Sequence, residues 1–155
     1  MVGLRIAALA LVAVAMMGCA AVSSDVGSVP AESEARGFLA RIVAAAQGGD
    51  FAELCSFGDP SCADALEGAG RDAVPPLPPT VAGTRVITPT ANRYGGLVFQ
   101  LCGIDGRGQR YATEMLVLRS AEGLKAIQPV FWSGMRIAPD GEVGPNDPLS
   151  FPGCP

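Results

Sequence analysis

The stretch LVFQLCGIDGRGQRYATEMLVLR, residues 97–119, decides the fold of this chain. Residues 97–104 form a nearly continuous apolar run, which is typical of a central strand. Residues 105–108, Asp-Gly-Arg-Gly, predict a hairpin turn. Residues 109–119 alternate between two faces, and this pattern predicts the partner strand.

Two further strands extend this hairpin on either side. Residues 84–88 predict a first strand, which a turn at residues 92–96 separates from the second. Residues 121–123 turn the chain again, and residues 124–132 predict the last strand. Strands joined by such short turns make an antiparallel meander. From Ser133 onward the chain is rich in Gly and Pro, and we expect an irregular tail.

Helices precede the strands. Apolar residues spaced by three and four predict an amphipathic helix, whose inward positions are Ala35, Phe38, Leu39, Ile42, Val43 and Ala46. Gly48 and Gly49 end this helix. Asp50 then caps a short second helix with Glu53 as its capping-box partner. Residues 62–68 predict a third helical turn.

A proline-rich segment, residues 71–83, separates the helices from the strands and contains Pro-Pro-Leu-Pro-Pro at 75–79. Proline lacks the backbone N–H that a helix interior or a central strand requires, so this segment predicts a stiff connector. A polyproline II ligand is the alternative interpretation. Helices followed by antiparallel strands make an α+β fold, in which the helices pack on the sheet.

The N-terminus carries an export signal. Residues 6–17 are an unbroken apolar run, shorter than the roughly 20 residues of a transmembrane helix. The run ends in Met16-Met17-Gly18-Cys19, which resembles the lipobox of bacterial lipoproteins, with Met16 in place of the usual Leu. This resemblance implies that residues 1–18 are a signal peptide and that Cys19 receives the lipid. Ordinary secretion with cleavage after Ala21 is the alternative.

The remaining chain divides into a tether and one domain. Residues 19–29 are rich in small residues and predict a flexible tether, at most about 35 Å long when extended. Residues 30–155 are of single-domain size. The formal net charge is −4, and the chain has no basic stripe, which argues against nucleic acid as a partner.

Cysteine usage agrees with an oxidising compartment. The chain has five cysteines, and a lipid on Cys19 would leave an even set of four for disulfides. Four cysteines allow three pairings. We expect Cys55–Cys62, which closes a short loop around a turn, and Cys102–Cys154, which ties the tail to the central strand.

The segments FLARIVAAAQGGDFAELC (residues 38–55) and KAIQPVFWSG (residues 125–134), separated by the proline-rich connector, resemble small bacterial lipoproteins of the NTF2-like, or cystatin-like, family. The resemblance covers residues 34–134. It implies a cone in which helices pack on a curved antiparallel sheet. That family includes enzymes, binding modules and assembly components, so the resemblance does not transfer a function.

No catalytic set is evident. The chain contains no histidine, which removes the commonest general base and metal ligand, and with it the Asp/His pair of many NTF2-like enzymes. Carboxylate chemistry remains open for Asp50, Glu53, Asp64 and Glu67, but helix caps and solvated faces explain them better. Oxygen ligands in the tail lack the spacing of a calcium loop; they are Asp140, Glu142, Asn146 and Asp147.

Aromatic residues of the strand half are candidates for a pocket in the cone or for plain core packing, which we favour; they are Tyr94, Phe99, Tyr111, Phe131 and Trp132. Trp132 precedes a strand break, which predicts an accessible indole at the rim of the sheet. We expect a non-enzymatic lipoprotein on the extracytoplasmic face of the cell membrane. It would bind an envelope protein or a small apolar ligand and use no cofactor or metal. The alternatives are an assembly component of an exported machine and a carboxylate-based enzyme.

Overall fold

A computed structural model describes residues 27–91, 94–138 and 143–145, together with Pro152 and Cys154. These residues have an α+β architecture in which three helices precede an antiparallel sheet, as predicted. Its elements are α1 (Glu32–Gln47), α2 (Phe51–Ser56), α3 (Cys62–Ala69), a 3-10 turn (Arg71–Ala73), β1 (Thr80–Ile87), β2 (Gly96–Ile104), β3 (Arg110–Ser120), β4 (Gly123–Ile127), β5 (Met135–Ile137) and β6 (Val143–Pro145).

The helices pack on one face of a four-stranded sheet of order β1-β2-β3-β4. Phe99, Met115 and Val117 project from this face into the main core, where they meet Ile42 and Leu54 of the helices. Complete burial of such a side chain stabilises the fold by about 1.5–3 kcal/mol. The sheet is not strongly curled, so the helices lie on an open surface.

The predicted positions of the helices are confirmed. All six predicted inward positions of α1 are buried, and the helix ends at Gly48 and Gly49. The Glu53 N–H donates to Asp50 Oδ1 at 2.9 Å, so Asp50 caps α2. The predicted capping box with Glu53 is only half formed, because the Asp50 N–H donates to the Ala45 carbonyl at 3.0 Å. The hairpin turn at residues 105–108 is also confirmed, because it joins β2 to β3. The Gly106 N–H in this turn donates to the Ala73 carbonyl and ties the sheet to the 3-10 turn.

Strand β1 starts earlier than the sequence suggested. It begins at Thr80, inside the predicted connector, and Thr80 pairs with Cys102. The prolines end at Pro79, and the β-branched residues Thr80 and Val81 supply the N–H groups and the extended backbone that a strand needs. The register shifts between Val81 and Gly83, which indicates a bulge at the intervening residue.

Strand β4 ends earlier than predicted, at Ile127. The next residue, Gln128, has a φ of 65°, which is uncommon for a residue other than glycine. Pro129 then removes the N–H that a continued ladder would use. The chain therefore turns away from the sheet, and Phe131 and Trp132 enter the main core from a turn.

The second face of the sheet is covered by the C-terminal segment. Residues Met135–Ile137 and Val143–Pro145 form a two-stranded antiparallel hairpin, so the expectation of an irregular tail is wrong for these residues. Ile137 of β5 packs against Val98 and Leu116 of the sheet. This contact explains why β2 and β3 are apolar on both faces.

Two disulfides hold the domain together, with the pairing expected from the sequence. Cys55–Cys62 has an Sγ–Sγ distance of 2.08 Å and links α2 to α3. Cys102–Cys154 has an Sγ–Sγ distance of 2.10 Å and links β2 to the C-terminal end of the chain.

Three residues assigned to the predicted tether, 27–29, belong to the folded domain. Gly27 is hydrogen-bonded to the ends of the sheet and Val29 packs against the main core. The rest of the predicted tether lies outside the described residues. The predicted signal peptide and Cys19 lie outside the described residues. Within the described part of the chain, every helix is too short or too polar to span a bilayer.

Candidate functional site

A surface concavity lies where α1 passes the end of α2 and the start of β4. It is an open groove of about 700 Å³. We call it the α1–β4 groove and define it by the residues that carry its shape and charge: Glu34, Gly37, Phe38, Arg41, Phe57, Glu122 and Lys125.

The groove follows from local features of the sequence. Gly37 leaves its wall open, because a Cβ built at this position would have no neighbour within 4 Å. Phe38 and Phe57 form the floor, with their rings edge to face at 5.4 Å. The Ala126 N–H donates to the Phe57 carbonyl at 2.8 Å and so holds β4 against the end of α2.

Arg41 differs from the other charged residues of the groove in that it contacts aromatic rings rather than an opposite charge. Its guanidinium lies 4.9 Å from the centre of the Phe57 ring and 5.9 Å from that of Phe38. The two rings hold the side chain by cation–π attraction, which contributes about 0.5–1 kcal/mol at an exposed site. Among the described residues, no carboxylate lies within ion-pairing distance of Arg41.

The other charges of the groove are engaged within the protein. Glu34 accepts two hydrogen bonds from Arg119, with nitrogen–oxygen distances of 3.1 and 2.5 Å. Lys125 Nζ donates to the Ser56 carbonyl at 3.2 Å and lies 3.4 Å from Glu122 Oε2. Arg41 therefore offers hydrogen-bond donors to an incoming anion, and the neighbouring charges balance one another.

A second, smaller groove is more apolar. It has a volume of about 370 Å³ and runs between α1 and the proline-rich connector. Leu39, Ala40 and Val43 form one side, and Pro78 and Pro79 form the other. Its shallow apolar walls suit hydrocarbon contact, but only Arg36 and Gln47 offer it polar side chains.

The candidate pocket aromatics separate into two places. Phe99, Tyr111, Phe131 and Trp132 are buried side chains of the main core, whereas Tyr94 is exposed at the surface. The structure thus places four of the five in core packing, which was the favoured interpretation.

The expected accessible position of Trp132 is wrong. Trp132 is only 5% exposed, and its Nε1 donates to the Gly70 carbonyl at 3.1 Å. Its ring packs edge to face on Phe131, with 5.1 Å between centroids. The strand break lies before this residue rather than after it, so the indole turns inward.

Tyr111 also lies in the main core. Burial raises the pKa of its hydroxyl, with a smaller contribution from the negative charge of Asp105.

The candidate carboxylates lie on separate helices. Asp50 is occupied as the cap of α2, with Glu53 in the first turn of that helix. Asp64 and Glu67 line a concavity on α3 together with Arg71. Among the described residues, no group of three or more Cys, Asp or Glu side chains could hold a metal ion. The candidate calcium ligands Asp140, Glu142, Asn146 and Asp147 lie outside the described residues.

One buried charge was missed by sequence reasoning. Glu114 of β3 accepts hydrogen bonds from Arg85 Nη2 and from the Ile137 N–H, both at 2.9 Å. Gln100 donates to it at 3.4 Å. Burial acts to raise the pKa of Glu114, but the hydrogen bonds from Arg85 and Ile137 outweigh it and leave the pKa below its usual value. The sequence feature that could have indicated this buried charge is the presence of an acidic residue in the middle of a strand otherwise rich in apolar residues.

Comparison with known proteins adds no further constraint. The chain matches no family model, no curated protein and no solved structure.

Proposed function

We propose that this protein is a lipid-anchored, non-enzymatic binding module of the bacterial cell envelope. It holds a carboxylate-bearing segment of another envelope protein in the α1–β4 groove. The lipobox-like sequence ending at Cys19 supports the anchor, and the two disulfides fit an oxidising compartment.

The observation that carries the binding site is the position of Arg41. Its guanidinium is held over Phe57 in the α1–β4 groove without a carboxylate partner among the described residues. A planar guanidinium presents a fork of donors that matches a carboxylate. Because the two phenylalanine rings already restrain the side chain, little conformational entropy is lost when it binds.

The shape and polarity of the groove favour a polypeptide over a small apolar ligand. The groove is open, and charged side chains alternate with the aromatic floor. A side-chain carboxylate can reach Arg41 while the rest of an extended segment lies along α1. An enzymatic role is less well supported, because the chain has no histidine and Asp50 is already engaged as a helix cap.

The order of helices, connector and meander supports an NTF2-like assignment. We propose a flattened version of that fold, in which packed aromatic side chains occupy the space that would be the interior of the cone.

Peptide binding tests this function. Immobilised acidic peptides and matched peptides with Gln and Asn in place of Glu and Asp should be compared by surface plasmon resonance with the purified protein. We expect binding of acidic peptides only. Arg41→Gln should weaken it by about tenfold or more, since a hydrogen bond to a charged group contributes about 1.5–3 kcal/mol.

Arg36→Gln is the matched control. Arg36 lies on the same helix but is paired with Glu32, at an Nη2–Oε1 distance of 2.6 Å, so its loss should leave peptide affinity unchanged. Equal affinity for acidic and neutral peptides, or equal binding by the Arg41→Gln variant, would contradict the proposal.

A further inference from the structure

The chain enters the folded domain at one corner of the sheet. The Gly27 N–H donates to the Arg119 carbonyl at 2.9 Å, and the Gly27 carbonyl accepts from the Gly95 N–H at 3.2 Å. Gly27 has a φ of +84°, and a Cβ at this residue would lie 3.2 Å from Tyr94 Cδ1. The positive φ and the close approach of Tyr94 both favour glycine at this position. Because Gly27 is held at this corner, the chain between it and Cys19 must start there.

This corner exposes apolar and aromatic surface. We call it the Tyr94 corner and define it by Gly27, Val86, Pro89, Tyr94 and Gly95. Tyr94 is 61% exposed and Val86 is 57% exposed. Pro89 packs on Gly95, where an added Cβ would lie 2.5 Å from Pro89 Cδ. Tyrosine is enriched at membrane interfaces because its ring is apolar and its hydroxyl remains hydrated.

The length of the tether keeps this corner close to the lipid. Cys19 and Gly27 are eight residues apart in the sequence, a distance of at most about 28 Å when extended and of about 16 Å as a flexible coil. Strand β2 begins at the corner and runs about 26 Å to its other end at Ile104. A coiled tether is shorter than this strand, so the corner lies nearer to the anchor on average than the opposite end of the domain, which bears the exposed Leu77.

We propose that the Tyr94 corner rests on the bilayer that holds the lipid of Cys19, with the Tyr94 ring in the interface. This inference depends on the lipid anchor of the proposed function. Tethering replaces a bimolecular encounter with an intramolecular one, so a high effective concentration favours even a weak contact.

The described part of the corner offers an apolar contact. Its exposed residues 88–91, Thr-Pro-Thr-Ala, carry no charge, and the nearby Arg119 is neutralised by Glu34. Arg93, which precedes Tyr94 in the sequence, lies outside the described residues. Glu34 also lines the α1–β4 groove. A protein bound in that groove would therefore lie beside the membrane surface, and partners that are themselves anchored would be favoured.

Site-specific fluorescence in vesicles tests this orientation. The full-length lipidated protein is reconstituted into phosphatidylcholine–phosphatidylglycerol vesicles with or without brominated lipid, which quenches nearby tryptophan. Tyr94→Trp places a probe at the corner. Leu77→Trp is the matched control, because Leu77 is 72% exposed at the opposite end. Trp132 is buried in both variants and gives the same background.

We expect brominated lipid to remove a larger fraction of the emission from Tyr94→Trp than from Leu77→Trp. The difference should persist in about 1 M salt, where the Debye length is about 3 Å; its loss there would contradict an apolar contact. Vesicle flotation reports the anchor independently. Protein that floats but shows equal quenching at both positions would refute the orientation alone, whereas protein that does not float would refute the anchor and the orientation together.

Discussion

Arg85 of β1 and Glu114 of β3 meet across the intervening strand β2, with Arg85 Nη2 at 2.9 Å from Glu114 Oε2. Glu114 is only 2% exposed. Arg85 also donates to the Ile137 carbonyl, and the Ile137 N–H donates to Glu114. The ion pair thus joins the edge of the sheet, its third strand and the C-terminal hairpin.

Glu114→Gln should lower the free energy of unfolding at pH 7 by about 2–3 kcal/mol, because it removes a charge-assisted bond and leaves the Arg85 guanidinium without its counter-ion. The folded-state pKa of Glu114 is lower than its usual 4.5. The stabilisation is therefore complete above the unfolded pKa and is lost as the pH falls through the folded pKa.

Urea unfolding of the two proteins at pH 7 and pH 3 measures this difference, which should shrink at the lower pH. Glu32→Gln is the control, since its exposed pair with Arg36 should contribute less than about 1 kcal/mol. A stability gap between wild type and Glu114→Gln that does not change with pH would show that the charge of Glu114 is not responsible.

Removing the long disulfide should destabilise the domain more than removing the short one. Cys102–Cys154 spans 52 residues and Cys55–Cys62 spans 7. On the chain-entropy estimate they contribute about 4 and about 2.5 kcal/mol, respectively. Double Cys→Ser variants of each pair, unfolded in urea, give the comparison. Non-reducing peptide mapping of the wild type should recover these two pairs, and a peptide joining Cys55 to Cys102 would contradict them.

Trp132→Ala should reduce stability by about 3–5 kcal/mol, because it opens a large cavity in the main core. Trp132→Phe should have a smaller effect, since it retains most of the ring and loses the hydrogen bond to Gly70. Tyr94→Ala, at an exposed aromatic residue, should change stability by no more than about 0.5 kcal/mol. Thermal unfolding of the three variants provides the test. A Trp132→Ala protein as stable as wild type would disprove its role in the core.

Cys19→Ala should abolish lipid attachment. Mass spectrometry of the wild-type protein from membranes should find an acylated cysteine at the mature N-terminus, and the variant should be unprocessed or released. An N-terminus at Val22 would instead indicate ordinary secretion with cleavage after Ala21.

Periodic patterns in the sequence predicted the helices and the central hairpin well. The stripe from Ala35 to Ala46 has a single interpretation because one face is buried and the other is solvated. The run from Leu97 to Ile104 is also clear, because β2 is central and paired on both sides. In both cases local pattern and tertiary burial favour the same structure.

The failures occur where tertiary contacts override local pattern. Residues 124–132 read as one strand, but Gln128 adopts a positive φ and the following residues enter the core. Pro129 was the available signal for this break. Strand β5 could not be predicted, because three residues carry too little periodicity and their position depends on the bond from Ile137 to Glu114.

Arg41 could not be recognised as a site residue from the sequence. It lies on the polar face of α1, where an arginine is usually only solvated. Its neighbours in the folded protein include Phe57, which directly follows α2, and residues of β4, which are far away in the sequence. Candidate sites of this kind arise from the packing of separate elements.

The unequal spans of the two disulfides also bear on how they form. For a chain exported from its N-terminus, as we propose, Cys55 and Cys62 reach the oxidising side almost together and close to one another. Once they are oxidised, Cys102 has no resident partner and must wait as a thiol until Cys154 follows, 52 residues later. If the chain is exported in this way, vectorial emergence would select the native pairing by timing, and reshuffling by an isomerase would be needed only when Cys102 arrives before the first bond has closed.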